Sequence, residues 1–318
     1  MNYAVETLDL NRTFKLKREK KKKNTNNDGK VVALENMNLK IHQGELFGLL
    51  GPNGAGKTST LECLEGLRTP TRGELRVAGI DPTQQFNQLR NLMGVQLQTS
   101  GLPPNIRVDE AMELFCAYHN IDSRYDLLER LDLTEKKHSQ YIELSAGQQR
   151  RLALALAIAH KPRVLFLDEP TAGLDVASRV ALHELMRELK KEGTTIVLAT
   201  HDMAEAEEMA DRIAILLNGK IITIGTPLEV TASGAGLSKV TVRTENDCLS
   251  KPDAKFPAVD QHLKKDEYSV FYSTNIGSTV SAIIAYIESK KDKLVDLRIE
   301  RPSLEDRFLE ITRTGDKR

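Results

Sequence analysis

Residues 51–58, Gly51-Pro52-Asn53-Gly54-Ala55-Gly56-Lys57-Thr58, set out a glycine, four further residues, Gly-Lys and a hydroxyl side chain. That is the order of a phosphate-binding loop. Glycines let the backbone curl until successive N–H groups face one point, and a helix starting at the loop directs its positive end there. In such a loop Lys57 reaches the β- and γ-phosphates of a nucleotide and Thr58, with Ser59 beside it, offers a hydroxyl to Mg²⁺. Asp168 and Glu169 follow an apolar run. Standing alone they are two carboxylates at an exposed strand end. Downstream of a phosphate loop, Asp168 holds the Mg²⁺ shell and Glu169 polarises the attacking water as general base. His201 ends another apolar run, where an isolated histidine is usually structural.

Short apolar runs must position these groups. Glu45–Leu50 leads into Gly51, Met93–Leu97 into Gln98, Val164–Leu167 into Asp168, and Thr195–Thr200 into His201. Their alternation with longer helical patterns predicts an α/β fold of βα units around a mostly parallel sheet. Ligands in such sheets bind beyond the carboxyl ends of the strands, so the groups at these four ends are expected to share one crevice. Tyr3–Leu10 and Val31–Ile41 alternate apolar and polar residues as half-buried antiparallel strands do. Between them, 15–30 is a basic, then Asn-rich, hairpin insertion. Residues 104–160 read as helical throughout, giving a helical subdomain at about 99–160. The cluster Ser233-Gly234-Ala235-Gly236 separates a tail that alternates like strands and holds one amphipathic helix, Thr279–Ser289. A large domain at 1–230 and a small α+β domain at 231–318 are expected.

Composition narrows the partners. The formal net charge is zero and hydrophobic residues make up 40%, so no global attraction to nucleic acid or anionic surfaces is expected. Three cysteines, Cys63, Cys116 and Cys248, lie far apart without a C-x-x-C pair, which is neither a disulfide framework nor a zinc site. The longest apolar run, Leu152–Ala159, has eight residues, against about 20 for a membrane helix. No secretory signal is visible at the polar, acidic start. Work at a membrane would need a partner.

Leu144-Ser145-Ala146-Gly147-Gln148-Gln149-Arg150 resembles the Leu-Ser-Gly-Gly-Gln signature of ABC ATPases. With it, six further motifs of that family stand in order over about residues 3–230. Phe14 sits where the family stacks an aromatic ring on adenine. Gln98 corresponds to the Q-loop glutamine that senses γ-phosphate and Mg²⁺. Gly173-Leu174-Asp175 resembles the D-loop and His201 the switch histidine. The phosphate loop and the Asp168–Glu169 pair complete the set. Two departures stand out: Ala146 replaces a glycine, and Phe14 replaces the commoner tyrosine. In the tail, Arg301-Pro302-Ser303-Leu304-Glu305-Asp306-Arg307-Phe308-Leu309 is similar to the closing motif of the daunorubicin-resistance group of exporter ATPases, although Leu304, Phe308 and Ile311 also suit a plain amphipathic helix.

The resemblance implies a P-loop ABC ATPase fold with antiparallel and helical subdomains. It implies ATP and Mg²⁺ as ligands and hydrolysis by Glu169, His201, Gln98 and Lys57. It also implies a second subunit, expected to be an identical copy, because Ser145, Gly147 and Gln148 of one chain close over the nucleotide on the other. An integral-membrane permease is expected to dock through the surface after Gln98, where Gly101-Leu102-Pro103-Pro104-Asn105-Ile106 exposes apolar residues on a loop. That would hold the protein at the cytoplasmic face of the cell membrane. The basic run from Lys15 to Lys23 reads as a solvated hairpin tip or a contact for anionic lipid. Nucleic acid is not an expected partner, since no aromatic residues are interleaved. A soluble ABC ATPase acting on ribosomes or nucleic acid is the competing reading. A generic P-loop kinase or GTPase would have no use for the signature run.

Overall fold

Half-apolar alternation near the amino end becomes an antiparallel pair, β1 (Tyr3–Lys15) and β2 (Lys30–His42), with Val5 opposite Ile41 and Leu10 opposite Met37. The fully apolar β3 (Leu46–Leu50) follows and is buried at every residue. The loop after it opens helix α1 (Lys57–Leu64). Strand β4 (Arg72–Val77) returns to β1 and completes a three-stranded antiparallel sheet ordered β2-β1-β4. A single turn, α2 (Phe86–Leu89), then leads to β5 (Met93–Gln96). In this computed structural model residues 3–15, 30–98, 101–233, 237–250, 254–300 and 303–315 are described. Most of the basic insertion at 15–30, Gly234–Gly236 of the turn cluster, and Arg301 and Pro302 of the tail motif lie outside them.

The helical layer contains α3 (Val108–Tyr118), α4 (Tyr125–Arg130) and α5 (Ala146–Ile158). Unbroken helix over 104–160 is not what forms. Asn120 and Asp132, two residues past the ends of α3 and α4, each take φ 54°. Short polar side chains tolerate this left-handed conformation, and it stops a helix.

The chain continues through β6 (Val164–Asp168), α6 (Val176–Lys191), β7 (Thr195–Thr200), α7 (Met203–Met209), β8 (Arg212–Leu217) and β9 (Lys220–Gly225). The main sheet is ordered β5-β6-β7-β3-β8-β9, and its neighbours are parallel except for β8 and β9. Like β3, β6 and β7 are buried along their whole length, which demands cover on both faces. One core cluster packs Met112, Leu152 and Leu156 of the helical layer with Leu165 and Leu198. The other packs Leu10, Leu39 and Leu75 of the antiparallel sheet with Phe47, Phe166 and Val197. Parallel alignment brings the carboxyl ends of β3, β5, β6 and β7 to one edge of the sheet.

These elements belong to a compact unit, Met1–Thr226, and Pro227–Arg318 forms another. The second unit contains α8 (Pro227–Ala232), β10 (Ser238–Thr244), β11 (Val259–Lys265), β12 (Tyr268–Ser273), α9 (Ile276–Ser289), β13 (Leu294–Glu300) and α10 (Leu304–Gly315). Its four strands are antiparallel, ordered β11-β12-β10-β13, and Ile283 and Ile287 of α9 pack on Val240, Val242 and Phe271. The described part of the tail motif starts α10: the Asp306 N–H donates to Ser303 Oγ at 3.1 Å, and the Ser303 N–H donates to Asp306 Oδ2 at 3.0 Å. This reciprocal cap satisfies donors that a helix start leaves open.

Candidate functional site

The loop between β3 and α1 has two positions where no side chain fits. A Cβ on Gly51 would lie 2.5 Å from the Leu216 carbonyl oxygen, and one on Gly56 would lie 2.8 Å from that of Ala33. Gly56 also has φ 109°, which L side chains rarely adopt. Ala55 is buried beneath the loop, while Asn53 and Gly54 are exposed and Pro52 and Ser59 half-buried. Lys57 is only 6% exposed, and its ammonium donates to the carbonyls of Gly51 at 2.6 Å and Pro52 at 3.4 Å. Burial lowers its pKa, and the neighbouring carboxylates Glu169 and Asp168 oppose that fall.

At the end of β6, Asp168 Oδ2 accepts a hydrogen bond from the Thr58 hydroxyl at 3.0 Å. Burial raises the Asp168 pKa against the effect of that bond, and the charge of Glu169 adds to the rise. A hydroxyl and a carboxylate in contact are the hard oxygen ligands Mg²⁺ uses when phosphates and water supply the rest. Among the described residues no group of three or more His, Cys, Asp or Glu could hold a metal by itself. The donor set therefore fits an ion that arrives with a nucleotide.

Glu169 is 6% exposed and links three motifs. One carboxylate oxygen lies 3.9 Å from Lys57 Nζ and the other 2.5 Å from His201 Nδ1. Its φ of 52° is strained for a residue with a side chain. The surroundings hold it on both sides: its N–H donates to the Ala199 carbonyl at 2.8 Å, and its carbonyl accepts from the Arg150 guanidinium. Thus β7, through Ala199 and the exposed His201, fixes the direction of a carboxylate carried by β6.

The remaining sequence candidates are spread more widely. Gln98 is exposed just past β5, whose Gln96 lies opposite Leu167 of β6, so it leaves the sheet at the same edge as Asp168. Ser145 is the exposed N-cap of α5. The Gln148 N–H donates to its hydroxyl at 3.3 Å, and the Ser145 N–H donates to the Gln148 side-chain carbonyl at 2.9 Å. A Cβ on Gly147 would lie 3.3 Å from Leu174, so the signature run packs against the segment carrying Asp175. Asp175 caps α6, accepting from the Ser178 N–H at 2.8 Å and its hydroxyl at 2.9 Å, bonds that hold its carboxyl below the usual range. Phe14 lies opposite Val31 near the end of β1 with the Arg12 guanidinium 4.8 Å above its ring.

The expectation of apolar residues exposed over 101–106 needs correcting. Leu102 and Ile106 are half-buried against the helical core, and Pro103, Pro104 and Asn105 face solvent. Apolar side chains next to an uncovered core fold back onto it. Apolar surface is offered instead by a groove of about 420 Å³ whose lining includes Phe86, Leu97, Leu102, Phe115 and Tyr118. Phe86, Leu97 and Tyr118 are 39%, 44% and 53% exposed.

Two residues escaped sequence reasoning. Arg150 ends the signature run, and nothing in its position shows that it reaches Glu169. Glu65 caps the carboxyl end of α1, is 2% exposed and has a side-chain oxygen without a hydrogen-bond partner. Burial, with the charges of Asp168 and Glu62, raises its pKa from 4.5 to about 8. Within Glu62-Cys63-Leu64-Glu65 only the 3.6-residue period could have hinted that the second acid turns inward.

Comparison with known proteins identifies the family. A family model described as ABC transporter matches residues 34–172. The chain is 32% identical over 297 residues to the daunorubicin resistance ATP-binding protein DrrA3 of Streptomyces coeruleorubidus, covering 91% of this chain and 93% of that protein. It is 34% identical to the Nod factor export ATP-binding protein I of Cupriavidus metallidurans, covering 89% and 93%. Among solved structures, a dimeric post-hydrolysis state of the ATP-binding cassette MJ0796 bound to ADP and Pi superposes with TM-score 0.63 at 26% identity, over 70% of this chain and 98% of that one. With a relative 32% identical over nine-tenths of both chains and a matching fold, the chain belongs to the ABC transporter family of ATP-binding proteins and is an ATPase.

Proposed function

We propose that this chain is the ATP-hydrolysing subunit of an exporter, working as a pair that drives a separately encoded membrane permease. The observation that carries this reading is the cluster in which Glu169 faces both Lys57 and His201 while Thr58 bonds Asp168, on a chain with one phosphate loop and one signature run. Lys57 and the loop N–H groups bind the phosphates. Thr58, Asp168 and Gln98 would hold Mg²⁺, which supplies charge neutralisation at the β- and γ-phosphates. Glu169 accepts the proton of the attacking water, and His201 sets the direction of its carboxylate. One signature run per chain implies a head-to-tail pair, in which the capped start of α5 brings its positive end and the Ser145 hydroxyl to the partner's γ-phosphate.

The apolar groove beside Gln98 supports docking of a short permease helix, since it joins partner contact to the strand end nearest the site. No helix among the described residues is long and apolar enough to cross a membrane, which fits attachment to the cytoplasmic face through such a partner. Export as the direction rests on the relatives named for daunorubicin resistance and Nod factor export.

The test is Glu169→Gln. Loss of a general base is worth about 10²–10⁴ in rate. The variant should retain ATP affinity, lose turnover by that factor and accumulate as an ATP-bound dimer in sedimentation. Turnover equal to wild type would remove the general-base role. A variant that stays monomeric in ATP would remove the paired mechanism.

A further inference from the structure

The second unit ends its sheet on a strand with one open side. β13 pairs with β10 only, so the N–H and C=O groups of its outer edge have no strand partner among the described residues. By alternation Leu297 and Ile299 share one face, and a register shift leaves Val295 as the extra residue beside them. Leu297 lies opposite Val242 and Ile299 opposite Val240, so this is the face that α9 covers. Yet Val295 and Ile299 are each 47% exposed, because the core stops short of the edge. Asp296, Arg298 and Glu300 line the other face. An open edge with an apolar row is a template for another strand, and proteins that avoid this outcome place charge or proline there. The opposite edge is protected in that way: Val259 packs on the core at the start of β11, a register shift follows it, and His262 and Lys264 then take the core-side positions, with Lys264 bound to Asp247.

We infer that β13 pairs with β13 of a second copy, antiparallel about a two-fold axis at Leu297, joining two four-stranded sheets into one continuous sheet through the second unit. The register follows from charge. Centred on Leu297, the pairing sets Asp296 against Arg298 of the other copy, twice. Shifted to centre on Asp296 or Arg298, a two-fold pairing sets Asp296 or Arg298 against itself. Opposite charges across strands stabilise, and like charges directly opposite destabilise. Within one chain Arg298 Nε already donates to Asp296 at 2.9 Å, and the Tyr268 hydroxyl donates to Asp296 at 3.3 Å. Both charged ends are therefore held on the face where the cross-pair forms. This interface is separate from ATP-driven closure and requires no nucleotide.

The experiment uses the full chain without nucleotide. Leu297→Cys places a thiol on the axis, where directly opposed Cβ atoms lie within disulfide reach, and the native Cys63, Cys116 and Cys248 are buried. Mild oxidation should give a covalent dimer with Leu297→Cys and none with Lys264→Cys on β11. In sedimentation equilibrium Asp296→Arg should weaken the dimer about tenfold, because both symmetry-related pairs become repulsive, and Asp296→Arg with Arg298→Asp should restore it. A wild-type chain that is monomeric without nucleotide overturns the inference. So do equal cross-linking at both cysteine positions and a double swap that fails to rescue. ATP-induced dimerisation of Glu169→Gln that survives Asp296→Arg would leave the catalytic pairing intact, so the two failures are distinguishable.

Discussion

Replacing Glu65 by glutamine isolates one physical quantity, the free energy of ionising a carboxyl in the interior of the catalytic unit. The residue is 2% exposed, and its pKa is raised from 4.5 to about 8, chiefly by burial and then by the charges of Asp168 and Glu62. At about 1.36 kcal/mol per pKa unit the opposing free energy is on the order of 5 kcal/mol. Below pH 4.5 folded and unfolded chains both hold the proton, and the group has no effect on stability. As pH rises, the unfolded chain releases its proton first, so stability falls by about 1.4 kcal/mol per pH unit. Above about pH 8 both forms are ionised and the loss is complete. A glutamine side chain fills the same volume and has no such titration. At neutral pH the Glu65→Gln variant should therefore be more stable than wild type by about 3 kcal/mol. Urea denaturation followed by far-UV circular dichroism across the window measures this. For a urea slope of about 3 kcal/mol per molar the midpoints should separate by about 1 M at neutral pH. They should converge toward the acid end. Midpoints that run parallel across the window would refute the placement of a buried carboxyl with a raised pKa in that interior.

Gly56→Ala should fold with the sheet intact but bind ATP about 5- to 150-fold more weakly, because φ 109° costs a side chain about 1–3 kcal/mol and its Cβ meets the Ala33 carbonyl; equilibrium titration with a fluorescent ATP analogue reads this directly. Ser145→Ala should lower stability by about 1 kcal/mol through loss of the α5 cap and should also abolish turnover. Mixing it with Lys57→Ala should restore hydrolysis, because a mixed pair contains one site with both an intact loop and an intact signature. No recovery on mixing would count against a shared site.

How much of this was legible beforehand depends on how local the physics is. The phosphate loop could be read because its requirements lie within eight consecutive residues: glycines where the backbone curls, followed by a lysine and a threonine at the start of the helix. The buried strands were legible in type because β3, β6 and β7 are apolar at nearly every position, a pattern only two-sided cover explains. The order of motifs from Gln98 through Ser145 to His201 carried the family. Helix over 104–160 was overextended because Asn120 and Asp132 look unremarkable in a helical run and act only by taking a left-handed turn.

Contacts between distant residues belong to the fold alone. Sequence placed Glu169 and His201 on separate strands. Only the pairing of β6 with β7 brings them to 2.5 Å, with Arg150 and Ala199 pinning the backbone between them. In the same way, Leu102 and Ile106 face inward and Leu97 outward because a core already stands beside the loop. Residue type sets what a group can do, and the spacing of neighbours along the chain sets local turns and caps. Burial and charge at a site depend on atoms contributed by segments far apart in sequence, so they exist only once the sheet has aligned its strand ends.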